Sequence, residues 1–441
     1  MLASNLEHCG GCNQACAQGQ MCVNGMCRRL SCAKGQTLCG TFCVDTRRDP
    51  NHCGGCRKRC VSGVCLEGQC VLHAQMLESS HGHNCVVSAG RLKCWGENSA
   101  AQLGYNDMIR RDRVPAEQID VGEQGVKQLA LGERHSCVVL DDASLKCWGQ
   151  SSYGQTGYDV ADQSVILKPL VRSVDLGGKK VKQLTAGFTH TCVLLSDETV
   201  RCWGTFYLQG QKTYLVARSK DAQSYTFSGK KVKQLRSGDQ HICVLLEDHR
   251  VLCWGNNDRG QLGYGDRKSR KQPVDTFVNM QGTKTMEVVA GVYHTCALSE
   301  TGQLRCWGEN AGGQLGVGDT VSRLKPDAVI DLRWSTGRTM QVSAGMLHTC
   351  AVSQQGKLKC WGRNKEGQLG YGDARSRRRP DDVVVDLKGA KAKRVWAGKV
   401  HTCVLLTDQS VRCWGKNTRG QLGHQHMEPT QIPLFEPALK Y

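Results

Sequence analysis

Apolar and polar positions along this chain alternate in short runs, and one pair of runs keeps returning. In the stretch His294-Thr-Cys-Ala-Leu-Ser-Glu-Thr-Gly-Gln-Leu-Arg-Cys-Trp-Gly308, two apolar runs flank the polar turn Glu300-Thr-Gly302. This pattern predicts a β-hairpin, with a three-residue turn whose last residue, glycine, accepts positive φ cheaply. Cys-Trp-Gly recurs seven times, starting at Cys94, Cys147, Cys202, Cys253, Cys306, Cys360 and Cys413, at spacings of 51–55 residues. A period near 50 marks a propeller or solenoid. Weaker runs such as Val181-Lys-Gln-Leu-Thr-Ala-Gly187, Val232-Lys-Gln-Leu-Arg-Ser-Gly238 and Val383-Val-Val-Asp-Leu387 supply the other strands. Three or four strands per period, seven times over, predict an all-β seven-bladed propeller.

Six copies place their two cysteines ten residues apart, and the first copy, Cys85 and Cys94, nine apart. The first copy also has the shorter turn, Ala89-Gly90, so loop and spacing change together and every pair stays directly opposite. Facing cysteines are within bonding reach. Seven intra-blade disulfides are expected: Cys85–Cys94, Cys137–Cys147, Cys192–Cys202, Cys243–Cys253, Cys296–Cys306, Cys350–Cys360 and Cys403–Cys413. Reduced core thiols are the alternative.

Of 27 cysteines, the other 13 fall in residues 1–70, which have little apolar material. That is a stapled scaffold, and disulfides on this scale need an oxidising setting: secreted, periplasmic or cell-surface. The segment repeats internally. Cys9, Cys12, Cys16, Cys22 and Cys27 match Cys53, Cys56, Cys60, Cys65 and Cys70, while Cys32, Cys39 and Cys43 have no earlier counterpart. The expected organisation is a truncated module (1–31), a complete eight-cysteine module (32–70) and the propeller (71–441). Truncation leaves one cysteine unpartnered and places a signal peptide upstream of Met1. His-Cys-Gly-Gly-Cys also has the spacing of a zinc half-site.

The combination Gly-x-x-His-Thr-Cys with Cys-Trp-Gly-x-Asn-x-x-Gly-Gln-Leu-Gly-x-Gly-Asp resembles the regulator of chromosome condensation repeat family. Gly260-Gln-Leu-Gly263, Gly313-Gln-Leu-Gly316, Gly367-Gln-Leu-Gly370 and Gly420-Gln-Leu-Gly423 follow its pattern over about 370 residues. The resemblance implies a seven-bladed propeller that binds through loops on one face. The paired cysteines are similar to those of the family's secreted bacterial members. Its members include an exchange factor for the GTPase Ran, light-signalling proteins, ubiquitin ligases and an inhibitor of β-lactamase, so fold alone does not choose among functions. The N-terminal module resembles stigma-specific-type repeats.

The third copy departs from the pattern. Thr205-Phe-Tyr-Leu-Gln-Gly-Gln-Lys-Thr-Tyr-Leu215 replaces the Asn and Gln-Leu-Gly turn. Phe206, Tyr207, Tyr214 and Tyr225 are therefore candidates for an aromatic contact patch, or for a turn repacked with aromatics. Net charge is +18; residues 1–70 carry 8 Lys/Arg against 4 Asp/Glu, leaving about +14 elsewhere. Four residues after the Asp of each Gly-Asp turn (Asn-Asp in the first) stand Arg111, Arg270, Arg323 and Arg377. Two further on stand Arg113, Lys325 and Arg379, with Gln272 interrupting. These form either a basic arc for an anionic partner or a set of caps on each blade's own Asp. Interspersed acids such as Asp112, Asp381 and Asp382 disfavour nucleic acid.

Seven histidines, His83, His135, His190, His241, His294, His348 and His401, precede the first cysteine of each copy by two. Either they satisfy a buried backbone group in every repeat or they ring a metal. The seven tryptophans read as packing between blades. No Gly-x-Ser-x-Gly, Walker loop or His-Glu-x-x-His occurs, no cofactor is implied, and no apolar run is long enough to span a membrane. The chain reads as a monomeric binding protein for a protein or an anionic polymer such as polysaccharide or lipopolysaccharide. An extracellular enzyme acting on polysaccharide or peptide, and an inhibitor of a secreted enzyme such as a β-lactamase, are the alternatives. Val71–Leu77 pairing near Gln431–Phe435 is the expected ring closure.

Overall fold

A computed structural model describes residues 74–432 apart from 89, 160–163, 209–210, 217–218 and 424–427. Before them it describes 15–17, 20–23, 26–29, 32–39, 42–49, 51–58, 65–66 and 69–70. The chain divides into two units, one within residues 1–73 and one over Ala74–Phe435. In the first, short hairpins are held by disulfides Cys16–Cys27, Cys32–Cys43 and Cys39–Cys56.

The second unit is a seven-bladed propeller. Each blade is an antiparallel sheet of three main strands. In blade five these are Thr285–Ala290, His294–Ser299 and Leu304–Gly308. The middle strand is fully buried in every blade, while the inner strand, which lines the channel, is buried at its fourth position and partly or fully exposed at its second and third. A fourth strand is reduced to a two-residue strand, Val165–Ile166, in blade two and to single bridges such as Gly308 with Arg323 in most others. Val383–Leu387 forms no strand: Val385 N donates once to Leu358 O, beyond Pro380 and the acidic pair that follows it.

The cysteines of each hairpin face each other in register, including the nine-residue pair Cys85 with Cys94. All seven pairs are bonded, with Cα atoms 4.0–4.1 Å apart. The glycine of Cys-Trp-Gly has φ of 99–109° in all seven blades and ends the third strand in blades one, four, five, six and seven. There the chain passes so close to the middle strand that a Cβ on Gly308 would lie 2.5 Å from the Tyr293 carbonyl oxygen.

Blades are joined by one repeated device. The carbonyl of the Gln in Gln-Leu-Gly accepts from the indole N–H of the next blade's tryptophan. Gln261 O receives Trp307 Nε1 at 2.9 Å, and Gln314 O receives Trp361 Nε1 at 2.9 Å. The same oxygen accepts the hydroxyl that follows the next blade's histidine, as Thr295 does at 2.8 Å. The last glycine of the motif lies under the indole; a Cβ on Gly263 would sit 2.6 Å from Trp307 Nε1. Blade three lacks the motif, and Trp254 Nε1 of blade four has no hydrogen-bond partner among the described residues.

The ring closes by the same device. Trp95 Nε1 donates to Gln421 O at 3.1 Å, and His401 Nε2 reaches Asn84 Oδ1 at 3.1 Å. The described part of the expected closure corrects it: Ala74–Ser79 pairs with its own blade's His83–Ser88, and Thr430 bridges Gly415 of blade seven. Blades one and seven are each built from one end of the chain, so packing between whole blades joins them. Val71–His73 and Pro433–Phe435 lie outside the described residues.

Candidate functional site

The histidine belt is structural. All seven rings are fully buried. Nε2 bonds a side chain on the next blade, not the backbone group expected from sequence: His83 to Ser136, His135 to Thr191, His241 to Thr295, His294 to Thr349 and His348 to Thr402, at 2.8–3.0 Å. Because these hydroxyls donate onward to a glutamine carbonyl, they accept from the ring, which fixes the proton on Nε2. Blade four has Ile242 at the hydroxyl position.

Burial holds these rings neutral. It lowers the pKa to about 3 for His83, His135, His190, His294 and His401, and to about 4 for His241 and His348. An unfolded histidine takes its proton near pH 6.5, so these groups favour the fold fully above that value and progressively less as pH falls towards 4. The guanidinium unfolding midpoint should therefore drop steadily from pH 6.5 to 4, with several protons taken up per molecule unfolded. A flat profile across that range would contradict a neutral belt.

The basic arc divides in two. Arg111, Arg270, Arg323 and Arg377 reach back to the Asp of their own turn, Asp107, Asp266, Asp319 and Asp373, at 2.6–2.9 Å. Three of them also lie over a tyrosine: Arg111 on Tyr105, Arg270 on Tyr264 and Arg377 on Tyr371. That Asp in turn binds the buried Asn of the repeat, as Asp266 does Asn257 at 3.0 Å. These four guanidiniums are turn caps, and their charge is met locally. Arg113, Lys325 and Arg379 are exposed and form no ion pair among the described residues. Part of the net charge is also internal: the Lys93 and Lys359 ammonium groups each donate to two backbone carbonyls of their own blade.

In blade three the third strand runs on to Leu208 and pairs with Gln211–Val216, adding a hairpin. Phe206 and Tyr214 lie on it, but their side chains fall outside the described residues. Tyr225 packs on Trp254, ring centroids 6.0 Å apart, and so serves the blade interior. Tyr207 is half-buried on the channel-mouth face. Its backbone is clasped to blade four: Tyr207 N donates to Gln240 Oε1 at 2.8 Å, and Asn256 Nδ2 donates to Tyr207 O at 2.9 Å.

That clasp walls a cavity of about 710 Å³ shared by blades three, four and five, lined chiefly by Phe188, Tyr207, Tyr293, Asp239, Asp258 and Arg259. It adjoins the central channel, a cavity of about 440 Å³ carrying Glu78, Arg236, Glu287 and Arg394. Burial raises the Glu78 carboxyl to about 7 against the pull of Arg394 and a hydrogen bond with Trp396. At the mouth, His81 of blade one crosses to Asp239 of blade four, Nε2 to Oδ1 at 2.8 Å, and its Nδ1 lies 4.0 Å from Glu133 of blade two.

Of the predicted binding residues whose side chains are described, Tyr207 alone lines this cavity. His81, Glu133, Phe188, Asp239 and Tyr293 escaped the sequence reading. All occupy the two variable positions of Gly-x-x-His, with Ser80 in place of the Gly in blade one, and their variation between repeats is the signal that marks them.

Loops presented on one face of a closed ring, around a channel and a side cavity, define a propeller interaction module. Residues 91–440 match the RCC1-like domain, and the chain belongs to that family. It is 30% identical over 379 residues to the ultraviolet-B receptor UVR8 of Arabidopsis thaliana, covering 82% of each chain. It is 33% identical over 281 residues to the probable E3 ubiquitin-protein ligase HERC4 of Mus musculus, covering 64% of this chain but 26% of that protein. Prp20p of Saccharomyces cerevisiae, whose structure is reported with its binding to Gsp1p and histones, shares the fold at a TM-score of 0.68 and 24% identity, covering 83% of this chain and 88% of that one. Interaction and regulation are the business of this group. No helix among the described residues is long and apolar enough to cross a membrane.

Proposed function

We propose that this protein is a binding propeller of an oxidising compartment, secreted or displayed at the cell surface, and that it docks a protein partner on the channel-mouth face where blade three rises. The observation that carries the docking face is the blade-three hairpin clasped over the side cavity by Gln240 and Asn256, which replaces a turn that elsewhere serves only packing. Seven bonded hairpins support the oxidising setting. Kinship with the ultraviolet-B receptor UVR8 over 82% of each chain supports a recognition role.

The test is capture on the intact oxidised protein from the secreted and surface fraction of its source, followed by hydrogen-exchange footprinting of the complex. Protection is expected at the channel-mouth turns, 81–82, 133–134, 188–189, 239–240 and 292–293. Protection confined to the opposite turns, such as 141–144 and 248–250, would overturn the assignment.

A second reading, capture of an anionic polymer, rests on the exposed Arg113, Lys325 and Arg379 on three blades. It predicts that replacing all three by Gln lowers the salt needed to elute the protein from heparin. An unchanged elution would remove it.

A further inference from the structure

We infer that the cavity between blades three, four and five takes a cationic side chain, an arginine or lysine presented by the protein partner. The inference rests on the docking reading above and names what that face recognises. The cavity walls combine three aromatic rings, Phe188, Tyr207 and Tyr293, with the carboxylates of Asp239 and Asp258. Aromatic faces and carboxylates together favour a partly desolvated cation and penalise an anion.

The local charge is opposite to that of the chain as a whole. Asp258 is exposed, its carboxylate accepts Asn256 Nδ2 at 2.9 Å and forms no ion pair among the described residues, while Arg267 Nη1 donates to its backbone carbonyl at 3.0 Å. The lining cation Arg259 lies 3.8 Å from Glu309, so its charge is already met. Burial chiefly, and then Asp239 and Glu309 against the opposing Arg259, raise the Tyr293 phenol above its ordinary pKa. Phe188 is already used this way, with the Lys399 ammonium 5.8 Å from its ring centre.

Nothing in the fold requires these residues. The corresponding positions in blade six are Met346 and Leu347, and in blade seven Lys399 and Val400, with the same strands and turns. The cavity is far larger than one side chain, so a short basic segment enters with one cation against the rings. At about 710 Å³ it is within the ordinary range for ligand sites.

The test is a ligand-observed NMR titration of the intact oxidised protein at low salt with three capped peptides, acetyl-Gly-Arg-Gly-amide, acetyl-Gly-Lys-Gly-amide and acetyl-Gly-Glu-Gly-amide. The Arg and Lys peptides should bind saturably and the Glu peptide should not. Tyr207→Ala and Asp258→Asn should each weaken the Arg peptide at least fivefold. Both positions lie outside the blade core, and an unchanged melting temperature confirms that the fold is kept. Binding of the Glu peptide as tightly as the Arg peptide, or Arg-peptide affinity unchanged in both variants, overturns the inference. The two readings fail separately. A partner footprint on this face without a peptide response removes the cation site and leaves the docking face. A peptide response with the footprint on the opposite face does the reverse.

Discussion

Replacing Trp307 by alanine should cost the propeller about 3–5 kcal/mol, read as a lowered guanidinium unfolding midpoint. The indole is fully buried between blades four and five, and truncating an aromatic of this size leaves a cavity the ring cannot collapse around. Its N–H also holds Gln261 O at 2.9 Å, the oxygen that Thr295 shares, so one substitution loosens both links of the joint. Phenylalanine separates the contributions. Trp307→Phe loses volume and the hydrogen bond, whereas Trp254→Phe loses volume alone, because Trp254 Nε1 has no partner among the described residues. The difference should be about 1 kcal/mol. Equal costs at the two sites would show that the indole N–H contributes nothing to joining the blades.

Opening all seven hairpin disulfides together should be the more damaging change. Each closes a loop of about ten residues, for which the chain-entropy account gives about 2.5–3 kcal/mol. The double substitution Cys296→Ala with Cys306→Ala should therefore cost about 2–3 kcal/mol, since alanine fits the space and one closed loop is lost. The sulfurs are buried, so a phosphine reductant should leave the native protein intact and act only on unfolded chains. Reduced in denaturant, the protein should fail to regain its strand signal on dilution, and reoxidation should restore it. Rapid reduction of the native protein, or refolding with free thiols, would remove the argument for an oxidising compartment.

Much of this was legible in the sequence because the repeat writes it seven times. A cysteine ten residues from its partner across a three-residue turn, and nine across a two-residue turn, can face it only in one register; Cys85 and Cys94 keep that register. Each tryptophan, glycine and histidine recurs with the blade, as packing residues of a repeat must. The arginines were legible only as alternatives. Whether Arg377 faces a partner or caps Asp373 depends on which way a long side chain turns, and linear spacing cannot decide that.

What the sequence determined by itself is the hairpin, its register, the sevenfold repetition and the disulfide pairs, all of which follow from interactions between residues about ten apart. Only the tertiary structure decided the joints between blades and the site. The Trp–Gln joint links residues 46 apart, and the crossing from His81 to Asp239 links residues 158 apart. Such neighbours are created by closing the ring, and nothing in the local pattern of the chain encodes them.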